Sequence, residues 1–270
     1  MAFPGEASDA ASILWYDDWP TRRGFHRRFP QEPAPVADID ILTASRLPPL
    51  YLDPLKARYR VHDRLHEGDA AAFAAVAPRV QAIAASGESK VGAALIARLP
   101  ALKLISVMGV GYDGVDVAAA KARGVMVTHT PDVLNDEVAD TALGLMLCAA
   151  RQLPAADRFV RAGQWPQGPM PLQSKMSGKR LGLVGMGRIG KAIAHRALAF
   201  GMPVAYTART PKPELPYRYC ASAAELAAES DFLVVITPGG AATRKLVDAT
   251  VLKALGKGSG QGILVNVARG

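Results

Sequence analysis

A short apolar run, Leu181-Gly182-Leu183-Val184, leads directly into the hexapeptide Gly185-Met186-Gly187-Arg188-Ile189-Gly190. Residues 193–200 then follow with the spacing of an amphipathic helix. A strand, a Gly-x-Gly-x-x-Gly turn and a helix in this order predict a pyrophosphate-binding βα unit. The first glycine permits the tight turn, the second lets the backbone approach the phosphates, and the third lets the helix pack closely on the strand. The residues predicted to bind a dinucleotide here are Gly185, Gly187, Arg188, Ile189 and Gly190.

The end of the next predicted strand, residues 203–207, indicates which dinucleotide binds. An acidic side chain at this point would accept hydrogen bonds from the adenosine ribose hydroxyls. This chain instead has Ala208, Arg209 and Thr210, and its next carboxylate is Glu214. Alanine removes the group that would repel a 2′-phosphate, and Arg209 with Thr210 beside it can bind that phosphate through charge-assisted hydrogen bonds. We therefore predict NADP(H) in preference to NAD(H); the alternative is a solvated loop arginine and use of either cofactor.

Short apolar runs alternate with alanine-rich segments from residue 39 onward, which predicts parallel strands joined by crossover helices. A long helix is predicted at residues 134–152, entered at Asn135 with Asp136 and Glu137 in its first turn. It separates two series of runs, so the sequence predicts an α/β fold of two doubly wound parallel-sheet domains, with a hinge near 130–134. The predicted strands are 39–42, 80–84, 104–108 and 125–128 in the first series, and 181–185, 203–207, 232–237 and 262–268 in the second.

Length and composition favour a globular chain of two domains, because 270 residues that are 50% hydrophobic can bury a large core. The longest strongly apolar stretch, 141–150, has about half the length of a membrane-spanning helix, and we see no secretory signal at the N-terminus. Cys148 and Cys220 are too few for a disulfide framework or a cysteine-rich metal site. We expect a cytoplasmic protein with no membrane partner and no metal.

The net charge of +8 comes mainly from scattered arginines. The chain has no lysine-rich tail and no basic helix with interleaved aromatic residues, so we expect no nucleic-acid partner. A positive field would attract an anionic cofactor and a small anionic substrate, although an arginine-rich proteome explains the charge equally well. The first residues, 1–38, combine tryptophans, a basic cluster and prolines, and they predict an extension that is only partly ordered.

Five stretches of the chain, in order and spacing, resemble the D-isomer-specific 2-hydroxyacid dehydrogenases, and especially their glyoxylate and hydroxypyruvate reductases. They cover the chain from about residue 39 to its end. They are Gly109-Val110-Gly111-Tyr112-Asp113-Gly114-Val115-Asp116; Thr130-Pro131-Asp132-Val133-Leu134 with Val138-Ala139-Asp140; Arg161-Ala162-Gly163-x-Trp165 with Ser177-Gly178-Lys179; the glycine turn; and Asn266-Val267-Ala268-Arg269-Gly270.

The resemblance implies how the substrate is held. In such enzymes the substrate carboxylate lies against backbone N–H groups of the loop that Val110 and Gly111 match, and glycine lets a ligand approach the main chain closely. Arg269 matches the catalytic arginine that holds the substrate carboxylate and carbonyl, a task suited to its permanent charge and forked donors. The alternatives are a structural βα turn at Val110 and Gly111 and a surface arginine at position 269.

The resemblance also implies the domain roles and the rest of the cofactor site. Residues 39–131 match a flavodoxin-like substrate domain, and residues 132–270 match a Rossmann dinucleotide-binding domain. Val267 and Ala268 match the segment beside the nicotinamide, while Thr237 and Pro238 match the loop that covers the cofactor. A two-fold homodimer, built around the long helix and residues 161–175, is implied in addition.

The proton donor that the resemblance implies is not found in the sequence. Reduction of a carbonyl by hydride needs a donor for the developing alkoxide, and in this family it is a histidine paired with a glutamate, both beyond the last motif. We therefore expect a second domain that is C-terminally incomplete, from a longer protein or a truncated product; the alternative is a natural binding protein that has lost its acid. His26, His62 and His66 match no catalytic position, His195 is predicted on a solvent-facing helix, and His129 is predicted to be structural.

Together these features predict an NADPH-dependent reductase of small 2-oxo acids, which transfers hydride between nicotinamide and a D-2-hydroxy acid. NAD(H) remains the alternative cofactor, and the sequence does not rank glyoxylate, hydroxypyruvate and larger 2-oxo acids. The second hypothesis is a non-catalytic dinucleotide-binding or corepressor-like module on the same fold, because fold alone does not fix function.

Overall fold

Two parallel five-stranded sheets form the framework of the computed structural model, which describes residues 37–258 and 260–269. Most of the predicted extension, residues 1–36, lies outside the described residues, as does Gly270 of the last motif. The last two residues of that predicted extension, 37 and 38, already belong to the first strand.

The first sheet contains β1 (Ala37–Thr43), β2 (Tyr59–Asp63), β3 (Val80–Ser86), β4 (Leu104–Met108) and β5 (Met126–Thr128). Their order is β2-β1-β3-β4-β5, which is the flavodoxin-like order expected from the resemblance. The helices of this half are α1 (Pro49–Lys56), α2 (Ala70–Val76), α3 (Ala93–Ala97) and α4 (Val117–Ala122). The apolar runs predicted four of these strands but missed β2, a polar edge strand that pairs only with β1 and so needs no apolar run.

The second sheet contains β6 (Leu181–Val184), β7 (Val204–Thr207), β8 (Arg218–Tyr219), β9 (Phe232–Val235) and β10 (Ile263–Asn266). The order β10-β9-β6-β7-β8, read from β8, is the strand order of the Rossmann fold up to its fifth strand. Four of these strands were predicted; β8 has two residues and was missed. The helices of this half are α5 (Asn135–Arg151), α6 (Leu153–Arg161), α7 (Arg188–Leu198), α8 (Ala223–Ala228) and α9 (Ala249–Ala254).

The long helix α5 packs against the second sheet. Its buried face consists largely of small side chains such as Ala139 and Ala142, with Met146 filling the larger space, and all three are fully buried in the core that also holds Leu181 and Ile193. The small residues let α5 approach α7 closely. The predicted helix over 134–152 is thus confirmed within a residue at each end.

The carboxyl ends of both sheets face one cleft. Gly87 follows β3 and Val110 follows β4, while Arg269 follows β10 of the second sheet. The guanidinium of Arg269 donates a hydrogen bond to the carbonyl oxygen of Gly87, so the two strand-end surfaces touch. Ligands bind at such edges in doubly wound sheets, and the candidate site therefore lies between the two halves.

The buried carboxylate of Asp231 ties the amino ends of β6 and β9 together. It accepts hydrogen bonds at 2.9 Å from the backbone N–H of Arg180, at 3.1 Å from its Nε and at 2.9 Å from its Nη2. This hydrogen bonding raises the pKa of Arg180 above its usual value. The side chain of Asp231 is 7% exposed and that of Arg180 is 41% exposed, so water screens the arginine side of the pair but hardly reaches the carboxylate.

We predict that Asp231→Asn lowers the free energy of unfolding by about 2 kcal/mol, since it weakens charge-assisted hydrogen bonds at a buried position. The control is Asp157→Asn, which breaks the exposed pair between Asp157 and Arg161 on α6. That pair should contribute less than about 0.5 kcal/mol. Urea denaturation of both variants measures the difference, and equal losses would contradict the prediction.

Candidate active site

Each of the three glycines in the turn between β6 and α7 is required, or left open, for a different structural reason. Gly185 has a φ of +111°, and a Cβ there would overlap the carbonyl oxygen of Ile236. A Cβ on Gly190 would overlap the carbonyl oxygen of Gly185, so α7 packs on β6 at a distance only glycine allows. Gly187 has an ordinary φ of −81° and open space around its Cα. The open glycine is therefore the one at which a ligand can approach the backbone.

The N-terminus of α7 presents free backbone donors beside that space. No side chain caps the helix at Gly187, and the first intrahelical bond shown is from Lys191 N–H to Gly187 C=O at 2.9 Å. The N–H groups of Arg188, Ile189 and Gly190 have no intrahelical acceptor. Since the helix has 11 residues, its dipole adds to these donors. The turn fits the pyrophosphate of a dinucleotide.

The side chain of Arg188 is held on the connection between the two sheets. Its Nε lies 3.0 Å from Oδ1 of Asp132, which has a φ of +70° and also accepts a hydrogen bond from Asn135 Nδ2 at 2.9 Å. This ion pair is exposed and solvent-screened. It links the glycine turn to the segment 130–134, where the sequence predicted the hinge.

The residues predicted to choose the cofactor follow β7. Ala208 is half-buried, while Arg209 and Thr210 are exposed, and Arg209 has no ion-pair partner among the described residues. The nearest acidic residue along the chain, Glu214, lies 3.9 Å from Lys191 Nζ. The charge of Arg209 is thus free to meet an anion.

Two further predicted segments border the turn from β9 and β10. The methyl carbon of Thr237 would lie 3.3 Å from a Cβ on Gly185, and Pro238 C=O accepts a hydrogen bond at 2.7 Å from Thr243 Oγ1. Val267 N–H donates to Val235 C=O at 3.1 Å, and Ala268 N–H donates to Asn266 Oδ1 at 2.9 Å. These two hydrogen bonds fix the backbone of residues 267 and 268, which connect β10 to Arg269 in the cleft.

Arg269 lies against the predicted substrate loop on the opposite side of the cleft. Its Nη1 donates to Gly87 C=O at 2.5 Å, and its Nε lies 3.1 Å from Asp113 Oδ1. A Cβ on Gly111 would overlap Nη2 of the arginine, and one on Gly239 would lie 2.7 Å from Asp113 Oδ2. The guanidinium therefore sits in a pocket walled by glycine backbone, with its Nη2 edge toward the loop.

The sequence motifs single out neither Gly87 nor Gly239, and they assign no role to Asp113. Asp113 lies within the motif Gly109 to Asp116, so the motif marks its position but does not indicate what its carboxylate does. The importance of Gly87 and Gly239 comes only from the side chains that contact them across the cleft. Such contacts between distant segments cannot be read from a single sequence.

His129 supports the loop of Val110 and Gly111. Its Nδ1 lies 3.0 Å from Val110 C=O, and since a carbonyl oxygen only accepts, Nδ1 carries the proton. The ring also packs on Tyr112, with centroids 4.7 Å apart. His195 is exposed on α7, as the sequence predicted.

Residues 37–258 and 260–269 were also compared with the requirements of a reactive thiol, a metal site and a membrane-spanning helix. Burial raises the pKa of the Cys220 thiol, so this cysteine stays protonated near neutral pH. No cluster of His, Cys, Asp or Glu in this part of the chain has the geometry to hold a metal ion. Among the same residues no helix has the length and apolar character needed to cross a membrane.

The chain is similar to known reductases over most of its described length. Residues 143–270 match the family model described as "D-isomer specific 2-hydroxyacid dehydrogenase, NAD binding domain". Glyoxylate/hydroxypyruvate reductase A of Arabidopsis thaliana is 44% identical over 191 residues, which are 71% of this chain and 60% of the relative. The 2-ketogluconate reductase of Gluconobacter oxydans is 37% identical over 231 residues, 86% of this chain and 73% of the relative.

A solved structure has the same arrangement of elements. The NADPH-dependent glyoxylate/hydroxypyruvate reductase of Sinorhizobium meliloti, in complex with NADP and malonate, aligns with a TM-score of 0.76 at 42% identity. The alignment covers 87% of this chain and 72% of that one. The chain spans about 60% of the length of the first three curated relatives that it matches.

We predict that Gly187→Ala weakens dinucleotide binding about tenfold or more while leaving the melting temperature unchanged, because the new methyl group fills ligand space without touching protein. The matched control is Gly92→Ala. Gly92 precedes α3 with a φ of −82°, has the same open surroundings and lies far from the turn in sequence.

A substitution at the third glycine, Gly190, shows the effect of lost packing for comparison with the effect of filled ligand space at Gly187. Gly190→Ala should lower both the melting temperature and the dinucleotide affinity, since its methyl group would press on Gly185 C=O. Thermal unfolding and fluorescence titration with NADPH measure the two quantities. Loss of stability in Gly187→Ala, or full affinity in Gly190→Ala, would contradict this assignment of roles.

Proposed function

The chain belongs to the D-isomer-specific 2-hydroxyacid dehydrogenase family, and from that premise we propose that it is an NADPH-dependent reductase of small 2-oxo acids of the glyoxylate and hydroxypyruvate class. The observation that carries the proposal is the contact of the Arg269 guanidinium with the loop of Val110 and Gly111, across the cleft from an uncapped glycine turn. One cleft thus combines a site for a small carboxylate with a site for a pyrophosphate.

The proposed roles follow from the donors that each residue offers. A nicotinamide dinucleotide would be held by the turn 185–190 and would supply the hydride. The proton for the developing alkoxide would come from the histidine that the family resemblance implies beyond the last motif. The backbone N–H groups of Val110 and Gly111 orient the substrate carboxylate, and His129 holds their loop through Val110 C=O. Arg269 stabilises the negative charge that develops on the substrate carbonyl oxygen, with its permanent charge and its Nη2 edge directed at Gly111.

Activity assays test the proposal, and they need a form of the protein that carries the expected histidine and glutamate. From that form we expect NADPH-dependent reduction of glyoxylate and hydroxypyruvate, measured as loss of NADPH absorbance, and turnover lower by about 100-fold or more in Arg269→Gln. Residues 1–270 alone lack this proton donor and should show almost no turnover. The control is Arg244→Gln, an arginine on the loop after β9 with no ion-pair partner among the described residues. Tight NADPH binding without turnover of any 2-oxo acid would favour the non-catalytic binding module instead.

The preference for NADPH is proposed from the loop after β7. Arg209 and Thr210 are exposed there, no carboxylate lies at the strand end, and the similar Sinorhizobium meliloti enzyme is described as NADPH-dependent. An arginine binds a 2′-phosphate through charge-assisted hydrogen bonds that NADH cannot form. NAD(H) is the cofactor to compare in every assay.

We predict that Ala208→Asp combined with Arg209→Ala, made in a form of the protein that carries the expected proton donor, shifts the preference from NADPH toward NADH by at least tenfold, about 1.4 kcal/mol. The ratio of kcat/KM for the two cofactors measures the shift. Arg218→Ala on β8 serves as the control, because it removes an equal charge that is already paired with Glu225 and Glu229. Equal efficiency with both cofactors in the unmodified protein would refute the preference.

Assembly, domain roles and location belong to the same proposal. We propose a cytoplasmic homodimer, with residues 39–131 as the substrate domain and 132–270 as the dinucleotide-binding domain. Leu153, Val160 and Trp165 are between 47% and 61% exposed on and just after α6, and Leu172 is fully exposed. Apolar side chains so exposed support a subunit contact over the segment 161–175.

A further inference from the structure

Two tyrosine hydroxyls hold the loop that carries Arg209. The loop leaves β7 at Thr207 and returns to the sheet at β8, and residues 208–212 form its first part. Tyr206 lies on β7 and Tyr219 on β8, so both tyrosines belong to neighbouring strands of the second sheet.

Tyr206 holds the far end of the segment 208–212. Its side chain is 1% exposed in the core, and its hydroxyl accepts a hydrogen bond from Lys212 N–H at 2.7 Å. The same hydroxyl donates to Lys212 C=O at 3.3 Å. Both backbone groups of one residue are thus bound to one buried side chain.

Tyr219 holds the near end. Its hydroxyl donates to Ala208 C=O at 3.4 Å. The two tyrosine rings pack edge to face, with centroids 5.6 Å apart, so the two contacts stiffen each other. The five-residue span from 208 to 212, with Arg209 and Thr210 inside it, is fixed at both ends by the sheet.

We propose that Tyr206 and Tyr219 are positioning residues for cofactor specificity: they fix the backbone of residues 208–212 so that Arg209 meets the 2′-phosphate with its loop already ordered. The inference rests on the proposed preference for NADPH. Binding a phosphate with a loose loop would cost the entropy of ordering it, and a loop ordered in advance avoids that cost. The side chain of Arg209 stays exposed, so only the backbone is constrained.

The choice of tyrosine is itself informative. A phenylalanine at position 206 would fill the same core volume and leave no buried hydroxyl in need of a partner. The hydroxyl is stable there because Lys212 satisfies it as both donor and acceptor. Its effect therefore falls on the loop rather than on the core.

The test removes each hydroxyl while keeping the ring, in Tyr206→Phe, Tyr219→Phe and the double variant. Tyr217→Phe is the matched control: it makes the same change on the same loop, where the described residues offer the hydroxyl no hydrogen-bond partner. Dissociation constants for NADPH, NADH and 2′,5′-ADP are measured by calorimetry on the purified full chain, so turnover is not needed. Melting temperatures are recorded for every variant.

We expect Tyr206→Phe to raise the dissociation constants of NADPH and 2′,5′-ADP about three- to tenfold, because the loop loses both hydrogen bonds to the Tyr206 hydroxyl and must be ordered on binding, and to leave NADH within about twofold. Tyr219→Phe should give a smaller loss of the same selectivity. In an Arg209→Ala background Tyr206→Phe should have no further effect on NADPH, because the two residues act through one contact. A merely structural role would weaken NADH and NADPH equally or lower only the melting temperature.

The outcomes separate this inference from the proposed cofactor preference. If the unmodified protein prefers NADPH and Arg209→Ala abolishes the preference, but Tyr206→Phe and Tyr219→Phe leave it intact, the tyrosine assignment is wrong and the preference stands. If the unmodified protein binds NADH and NADPH equally well, the preference fails and the tyrosine assignment fails with it.

Discussion

The close approach of α7 to β6 is the constraint on which the cofactor side of the site depends. Because Gly190 has no Cβ, the first turn of α7 rests on the carbonyl of Gly185, and the helix axis then points its free N–H groups into the cleft. Any side chain at position 190 would lift the helix and turn those donors away. The fully buried Ile193 and Ala194 continue the same contact along the helix, so packing and anion binding depend on one interface.

Features with a local pattern could be predicted from the sequence. The glycine turn, the long helix α5 and eight of the ten strands in the described part of the chain each have a period, a cap or a motif that one segment contains. Strands β2 and β8 could not be predicted, because an edge strand with one partner needs neither an apolar run nor much length. Their positions are decided by the neighbouring strand, which is a tertiary effect.

The same distinction applies within the site. Positions 110, 111 and 269 could be selected because a family motif surrounds each of them. The pairing of Arg269 with Asp113 could not, since it joins two strand ends 156 residues apart in the chain across the cleft. The tyrosine contacts beneath residues 208–212 were also hidden, because a strand tyrosine looks like any other core aromatic until its hydroxyl is seen to meet Lys212.

The wall around Arg269 has a consequence for how such a protein can change over evolutionary time. Gly87, Gly111 and Gly239 surround the cleft with main chain, and each already lies within contact distance of another group. Glycine can be exchanged only for something larger, so mutation at these positions can narrow the cleft but never widen it. A lineage that comes to accept bulkier substrates must therefore acquire its substitutions outside this wall, at positions where a side chain still exists to be made smaller.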